Sequence, residues 1–340
     1  MATIKEIADL AGVSRGTVDR VINKRGAVNP ETAEKINEII RMLNYRPNRA
    51  GIVLAAQKKK MKIGVILFGL GNPFFDDVVL GIQQKTEEFA NYNCTVLLRR
   101  VSSNVEDQLT AIDEFIGQEI NGLAISPFND PRVIDKINTL YDLSIPVVTL
   151  NTDVEHSKRI AYVGSNYLNS GETAAGLMRL MTSGAVKVGI VSGSKQVLCH
   201  TERISGFSKC IAKHYPNLQI VDTVYTNDDE FESYEKTQSL LTNHPEINAL
   251  FFSAGGVYGG CRAVINAGRS KDLCIITFDS IETTKDLLEK KIICATICQQ
   301  PMEQGSKPLD ILFSYLMTGE LPKKEFNYVQ ADIRIRENIH

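Results

Sequence analysis

Two arginines, Arg15 and Arg20, occupy one side of a short segment whose opposite side carries Thr17, Val18 and Val21. A guanidinium is a planar fork that matches the O6/N7 edge of guanine, so this face suits the reading of duplex DNA. A second set of polar and aromatic residues is spread through the rest of the chain: Asn72-Pro73-Phe74-Phe75, Phe128-Asn129-Asp130, Asn151, Arg203, Phe278-Asp279 and Gln299. Sugars need this mixture, with rings to cover C–H faces and amides, carboxylates and a guanidinium to pair hydroxyls once water is excluded. Catalytic signatures are missing. Gly69-Leu70-Gly71 begins a dinucleotide fingerprint, but Phe74 stands where the third glycine must be. Gly193-Ser194-Lys195 lacks the earlier glycine of a phosphate loop, no Gly-x-Ser-x-Gly elbow occurs, and the five histidines are scattered. No catalytic residue, metal or cofactor is expected.

The arginines require a helix, and the flanking residues supply one. Thr3-Ile4-Lys5-Glu6 reads as a capping box, after which Ile4, Ile7, Ala8 and Ala11 recur at helical spacing. Gly12 can take the left-handed conformation that ends a helix, and Ser14 can cap a second one over about 14–23. Asn29-Pro30 starts a third, with Ile36, Ile39, Ile40 and Leu43 on its apolar side. Two short helices joined by a tight turn, with a third behind them, make a helix-turn-helix unit. Its second helix enters the major groove.

From Met61 onward apolar strand candidates alternate with helical segments. The strands fall near 62–68, 94–98, 122–126, 145–150, 160–163, 186–191, 219–224, 248–252, 273–277 and 293–297. This β/α rhythm predicts parallel sheets covered by helices on both faces. Ten strands exceed one comfortable sheet and the rhythm repeats after Asn151, so two doubly wound parallel-sheet lobes are expected. The polar residues singled out above lie at the carboxyl ends of these strands, where open α/β sheets bind ligands. The tail after Gly319 lacks an extended apolar heptad and reads as a closing strand over about 326–335.

Charge divides along the chain. Residues 1–60 hold 12 Lys/Arg against 6 Asp/Glu, whereas the remaining 280 hold 26 against 34. A basic head of +6 on a body of −8 fits a polyanion-binding module joined to something that does not touch the polyanion. No signal-peptide core or membrane-length apolar run is present, and the seven cysteines show no zinc-site pairing, so a cytoplasmic protein with reduced thiols is expected.

Residues 3–49, through Gly12-Val13-Ser14-Arg15-Gly16-Thr17-Val18-Asp19-Arg20-Val21-Ile22-Asn23 to Asn44-Tyr45-Arg46-Pro47-Asn48-Arg49, resemble the headpiece of the lac repressor/galactose repressor family. The resemblance implies base reading by Arg15, Gly16 and Arg20, phosphate contacts from Ser14, Thr17 and Asn23, and DNA contacts from Asn48 and Arg49. It also implies a hinge over 47–60 that becomes helical on DNA, with Leu54 wedged into the minor groove. Asp19 and Gly16 depart from the family's usual residues, which points to an unusual operator. Residues 61–330 resemble the ribose-type periplasmic binding protein, on Asn72-Pro73-Phe74-Phe75, Tyr162-Val163-Gly164-Ser165-Asn166, Thr277-Phe278-Asp279 and Ala295-Thr296-Ile297-Cys298-Gln299. That likeness implies effector contacts at Asn72, Phe74, Phe75, Asn129, Arg203, Asp279 and Gln299. Ala254-Gly255 stands where family members often carry Asn-Asp.

Together these imply an α/β regulator, a homodimer on a pseudo-palindromic operator, controlled by a sugar-like effector between two lobes. The expected domains are a headpiece over 1–46, the hinge over 47–60, and a sensor over 61–340. Within the sensor the N-lobe takes about 61–150 and 300–326, and the C-lobe about 151–299 and 327–340. A solute-binding protein for sugar uptake, or an enzyme on the same fold, are the alternatives.

Overall fold

The computed structural model describes residues 3–22, 28–43, 45, 60–102 and 104–339. Asn23, Asn48, Arg49, Leu54 and the expected hinge as far as residue 59 lie outside them. The described residues of the head form three helices: α1 (Ile4–Ala11), α2 (Arg15–Ile22) and α3 (Pro30–Met42). The capping box at α1 forms in both directions, with Glu6 N–H donating to Thr3 Oγ1 at 3.2 Å and Thr3 N–H donating to Glu6 Oε2 at 2.9 Å. Gly12 ends the helix in the left-handed region at φ 72°. Ser14 Oγ accepts from Thr17 N–H at 3.1 Å, and Asn29 Oδ1 from Glu31 N–H at 2.9 Å, so α2 and α3 begin where the sequence placed their caps. Ile7, Ala8, Ala11, Val18, Ile36 and Ile39 close a small core. Leu43 is not part of its buried face: α3 stops at Met42, and Leu43 is its exposed C-cap.

The body begins with β1 (Met61–Leu67), α4 (Phe74–Ala90), β2 (Cys94–Arg100), α5 (Val105–Gly117), β3 (Gly122–Ile125), α6 (Pro131–Asp142), β4 (Val147–Leu150) and β5 (Ala161–Gly164). It continues through α7 (Tyr167–Met181), β6 (Val186–Ser192), α8 (Leu198–His214), β7 (Leu218–Tyr225), α9 (Glu230–Asn243) and β8 (Ala249–Phe252). Then come α10 (Val257–Asn266), β9 (Cys274–Phe278), α11 (Glu282–Glu289), β10 (Ala295–Cys298) and α12 (Pro301–Thr318). Two short strands, β11 (Phe326–Tyr328) and β12 (Asp332–Arg334), and one 3₁₀ turn end the chain. Strands β3, β4, β5, β8 and β10 are buried along their whole length, as parallel strands covered on both faces must be.

Two six-stranded sheets result, in the orders β11-β5-β4-β3-β1-β2 and β12-β10-β9-β8-β6-β7. Every ladder is parallel except β10–β12. The expected lobe boundary at Asn151 is corrected by this topology. β5 returns to the first sheet, pairing with β4 through Val148–Ala161 to Leu150–Val163, so the crossing into the second lobe comes at Ser165-Asn166. The single closing strand over 326–335 is likewise two strands in different sheets. β11 lies beside β5 and β12 beside β10, with the chain crossing between them at 329–331. The lobes are therefore joined three times, at 165–166, 299–300 and 329–331.

Helices α7 and α8 cross at backbone distance. A Cβ on Gly171 would stand 2.0 Å from the Arg203 carbonyl oxygen, and one on Gly206 2.0 Å from that of Leu168. Only glycine permits this approach, and it sets where Arg203 is held. The start of α8 also reaches the other lobe: Val197 and Cys199 belong to the first lobe's core, and Gln196 C=O accepts from Asn129 N–H at 2.9 Å. Cys274 and Cys294 sit side by side on neighbouring chain segments of the second sheet, with their thiols hydrogen-bonded, a pairing that their spacing of 20 residues conceals.

Candidate functional sites

A chain of hydrogen bonds runs through the junction of the lobes. Arg203, 3% exposed in the first turns of α8, donates from Nη1 to Ser253 C=O and from Nη2 to Gln299 Oε1, both at 2.7 Å. Gln299, 2% exposed at the end of β10, donates from Nε2 to Asp279 Oδ1 at 2.7 Å. The guanidinium lies 3.8 Å from the Phe278 ring centroid and 4.7 Å from that of Tyr167. Its planar cation suits both the aromatic faces and the amide. Arg203 Nε has no hydrogen-bond partner among the described residues.

Three residues around this chain hold left-handed backbone without being glycine: Asn151 (φ 63°), Asp279 (φ 68°) and Gln300 (φ 50°). Such conformations cost energy and cluster where side chains must be aimed. Burial raises the Asp279 carboxyl to about 6, against the pull of Arg203 and Gln299 and with a further push from Asp228. His200 shows the opposite balance. Burial pulls it down, but Asp228, whose Oδ1 is 3.7 Å from His200 Nε2, and Cys199 outweigh that and hold it at about 9.

In front of this chain lies a cavity of about 320 Å³ between the lobes. The first lobe lends Asn72 and Phe74, and the second Asp228, Gly255, Phe278 and Asp279. Asn72 Oδ1 accepts from Phe74 N–H at 3.0 Å, which fixes the turn that presents both side chains. A larger cavity, about 510 Å³, lies beside Arg159 and Asp153. None of the residues expected to touch an effector lines it, and its Arg159 is already neutralised by Asp153 and Glu325. The interlobe cavity is the better candidate.

The structure brings Asn72, Phe74 and Asp279 to that cavity and sets Arg203 and Gln299 directly behind Asp279. It does not bring Phe75 or Asn129. Phe75 is buried below Gly69 against Phe68 and Phe74, at 5.3 Å from each ring centroid, and is a core residue. Asn129 is exposed, and its backbone serves the contact with Gln196. Sequence reasoning missed Asp228, Glu230 and Thr284, which line the cavity, and His200. The signal for Asp228 was available, since it follows a strand end as Asp279 does. At Ala254-Gly255, where family members often carry Asn-Asp, a carboxylate stands alongside: Asp228 Oδ1 accepts from Gly255 N–H at 2.7 Å.

In the headpiece, Ser14, Arg15, Gly16 and Arg20 are exposed and Thr17 is half-buried. Arg20 lies along its helix, Nε donating to Gly16 C=O at 3.2 Å. A Cβ on Gly16 would meet only Ser14 Oγ, at 3.7 Å, so nothing within the fold demands glycine there.

Residues 63–321 match the family described as periplasmic binding protein domain, and residues 3–48 match bacterial regulatory proteins, lacI family. The chain belongs to the periplasmic binding protein domain family and carries a lacI-family regulatory domain at its N-terminus. Relatives of this lacI-family regulator span nearly its whole length. The HTH-type transcriptional repressor PurR of Actinobacillus pleuropneumoniae is 29% identical over 92% of the chain and 90% of its own length. The ribose operon repressor of Halalkalibacterium halodurans is 27% identical over 98% of the chain and 94% of its own. Among solved structures, GanP, a glucose-galactose binding protein from Geobacillus stearothermophilus, superposes with a TM-score of 0.76 at 24% identity. It covers 83% of the chain and 99% of its own length, so the two-lobed body shares that fold. Both of these relatives are transcriptional repressors, and no helix among the described residues of the regulator is long and apolar enough to cross a membrane.

Proposed function

We propose that the regulator is a cytoplasmic homodimer that represses transcription from a pseudo-palindromic operator, its grip set by a sugar-like effector in the interlobe cavity. The observation that carries the reading is the Arg203–Gln299–Asp279 chain, buried behind a cavity to which both lobes contribute. Such a site binds its ligand best when the lobes close, and a ligand shifts an equilibrium only through its different affinity for the two states.

On the DNA side, Arg15 and Arg20 read base edges from the exposed face of α2, Arg20 exchanging its bond to Gly16 C=O for guanine. Gly16 leaves room for the groove wall, and Ser14, Thr17, Asn23, Asn48 and Arg49 hold the backbone. Leu54 wedges into the minor groove. Two headpieces about one helical turn apart require two chains. Exposed Leu80 and Leu98 in the first lobe, and Phe231 and Tyr258 in the second, supply apolar surface for that pairing. Effector contacts fall to Asn72, Phe74, Asp279, Arg203 and Gln299.

The test is operator binding by the full chain at a fixed salt concentration, with and without candidate sugars, since phosphate contacts make affinity salt-dependent. Selection of one site over random DNA, altered by one sugar, supports the reading. Equal affinity for all duplexes under every ligand condition removes it.

A further inference from the structure

The cavity wall on the second lobe carries four carboxylates. Asp228, Asp229, Glu230 and Asp279 all line it, and no Lys or Arg is among its described lining residues. Each carboxylate is held by a donor from its own lobe. Asp228 Oδ1 takes Gly255 N–H at 2.7 Å, Asp229 Oδ1 takes Glu232 N–H at 2.8 Å, Glu230 Oε2 takes Gly259 N–H at 2.5 Å, and Asp279 Oδ1 takes Gln299 Nε2. They are thus fixed in place and cannot swing apart to relieve one another. An ionised carboxylate offers about four acceptor sites, so one bond leaves most of that capacity for an occupant.

The neighbouring cations balance two of the four: Arg203 pulls on Asp279, and the protonated His200 faces Asp228. Arg203 spends both Nη groups on Ser253 C=O and Gln299, and the protonated His200 answers Asp228 alone. Burial, then Asp229 and Asp228, push Glu230 up after allowing for its bond to Gly259. A separate feature also calls for a ligand. Thr284, 0% exposed, lines the same cavity, and its hydroxyl has no hydrogen-bond partner among the described residues. A buried hydroxyl left unpaired is costly unless an occupant completes it.

A neutral polyol would satisfy these acceptors with hydroxyl protons, but lobe closure over it would draw Asp229 and Glu230, exposed here, out of water with no added positive charge. A ligand with its own positive charge removes that cost. On the reading of this cavity as the effector site, we propose that the effector is an amino sugar or similar amino polyol. Its ammonium sits between Asp228 and Asp279, and its C–H face lies against Phe74 and Phe278. Asn72 and Thr284 then pair its hydroxyls. The amine also accounts for Ala254-Gly255: a side chain at Gly255 would start 3.0 Å from Asp228 Oδ1 and 3.5 Å from Asn72 Nδ2, filling the space between the lobes.

Calorimetry on the full-length wild-type chain tests this, comparing D-glucosamine, D-galactosamine and D-mannosamine each with its neutral parent hexose at pH 7 and low salt. At least one amino sugar is expected to bind tenfold or more tightly than its parent, and raising the salt should erode that advantage. Asp228→Asn should reduce the advantage to within twofold. If a neutral hexose binds as tightly as its amino counterpart, the charge proposal falls while the sugar-effector reading stands. If none of the six binds to a chain that still selects its operator, both fall.

Discussion

Gly171→Ala should loosen the regulator's second lobe and silence its sensor, and the size of the effect follows from the α7–α8 crossing. The added methyl carbon would stand 2.0 Å from the Arg203 carbonyl oxygen and 2.7 Å from Phe207 N. Both obstacles are backbone, so no side chain can turn away, and a C···O contact relaxes only near about 3.3 Å. Helix α8 must therefore retreat by roughly 1 Å, enough to break the 2.7 Å bond from Arg203 to Gln299. Overpacking of this kind costs about 1–3 kcal/mol, with a backbone clash at the upper end. The Gly-to-Ala gain in helix propensity returns about 1 kcal/mol. The net loss of about 2 kcal/mol lowers Tm by roughly 4–8 °C. Gly176→Ala is the control in the same helix, because a Cβ there would meet only Tyr215 OH at 3.8 Å. It keeps the propensity gain without the clash and should raise Tm by a few degrees. Differential scanning calorimetry of both variants, with and without the effector, reads the result. If the two substitutions shift Tm in the same direction, the close crossing does not control this lobe.

Arg203→Met removes a buried guanidinium with two hydrogen bonds, each charge-assisted bond being worth about 1.5–3 kcal/mol. Tm should fall and the operator response to effector vanish, and a preserved ligand response in a mobility-shift assay would contradict the role given to Arg203. With His200 held at about 9 against an ordinary 6.5, its protonated form stabilises the fold fully below pH 6.5, and that contribution drains away as pH rises through 9. Urea midpoints measured from pH 6 to 10 should show this decline, and His200→Gln should flatten it; an identical slope in the variant counts against the assignment. Arg15→Ala should relax base preference at one operator position by about 1–3 kcal/mol, seen in competition with single-base operator variants, where a uniform loss across all of them would contradict base reading. Leu54→Ala should weaken operator binding far more than binding to random DNA, and equal losses on the two would refute the wedge.

Much of this architecture could be read from residue order because local chemistry decides it. Thr3 with Glu6, Ser14 and Asn29 are caps whose partners lie within three residues, so each helix start is written where it forms. The buried strands announce themselves as short apolar runs. Membership in a sheet is different. Ala161–Gly164 is apolar on both faces and would suit either lobe, and only the ladder with β4 decides. In the tail, alternation runs on through 326–335 and hides the break between Tyr328 and Asp332, where the chain changes sheets. The cavity divides the same way. Asp279 and Gln299 follow apolar strands and are conspicuous there, whereas Asp228 is camouflaged in Asp228-Asp229-Glu230, an acidic run that resembles the solvated start of a helix. Phe74 and Phe75 are adjacent and chemically identical, and only the turn made by Gly69 and Asn72 sends one to the cavity and the other to the core.

The chain passes between the lobes at three separate places. Halves tied by a single tether could swivel about it and roll past each other in many directions. Three tethers side by side oppose such torsion and leave bending as the easy motion, much as a door on several pins can only swing. Occupancy of the cleft is thereby converted into one angle. In the proposed homodimer, a single angle is a quantity that two DNA-gripping heads register as a change in their spacing.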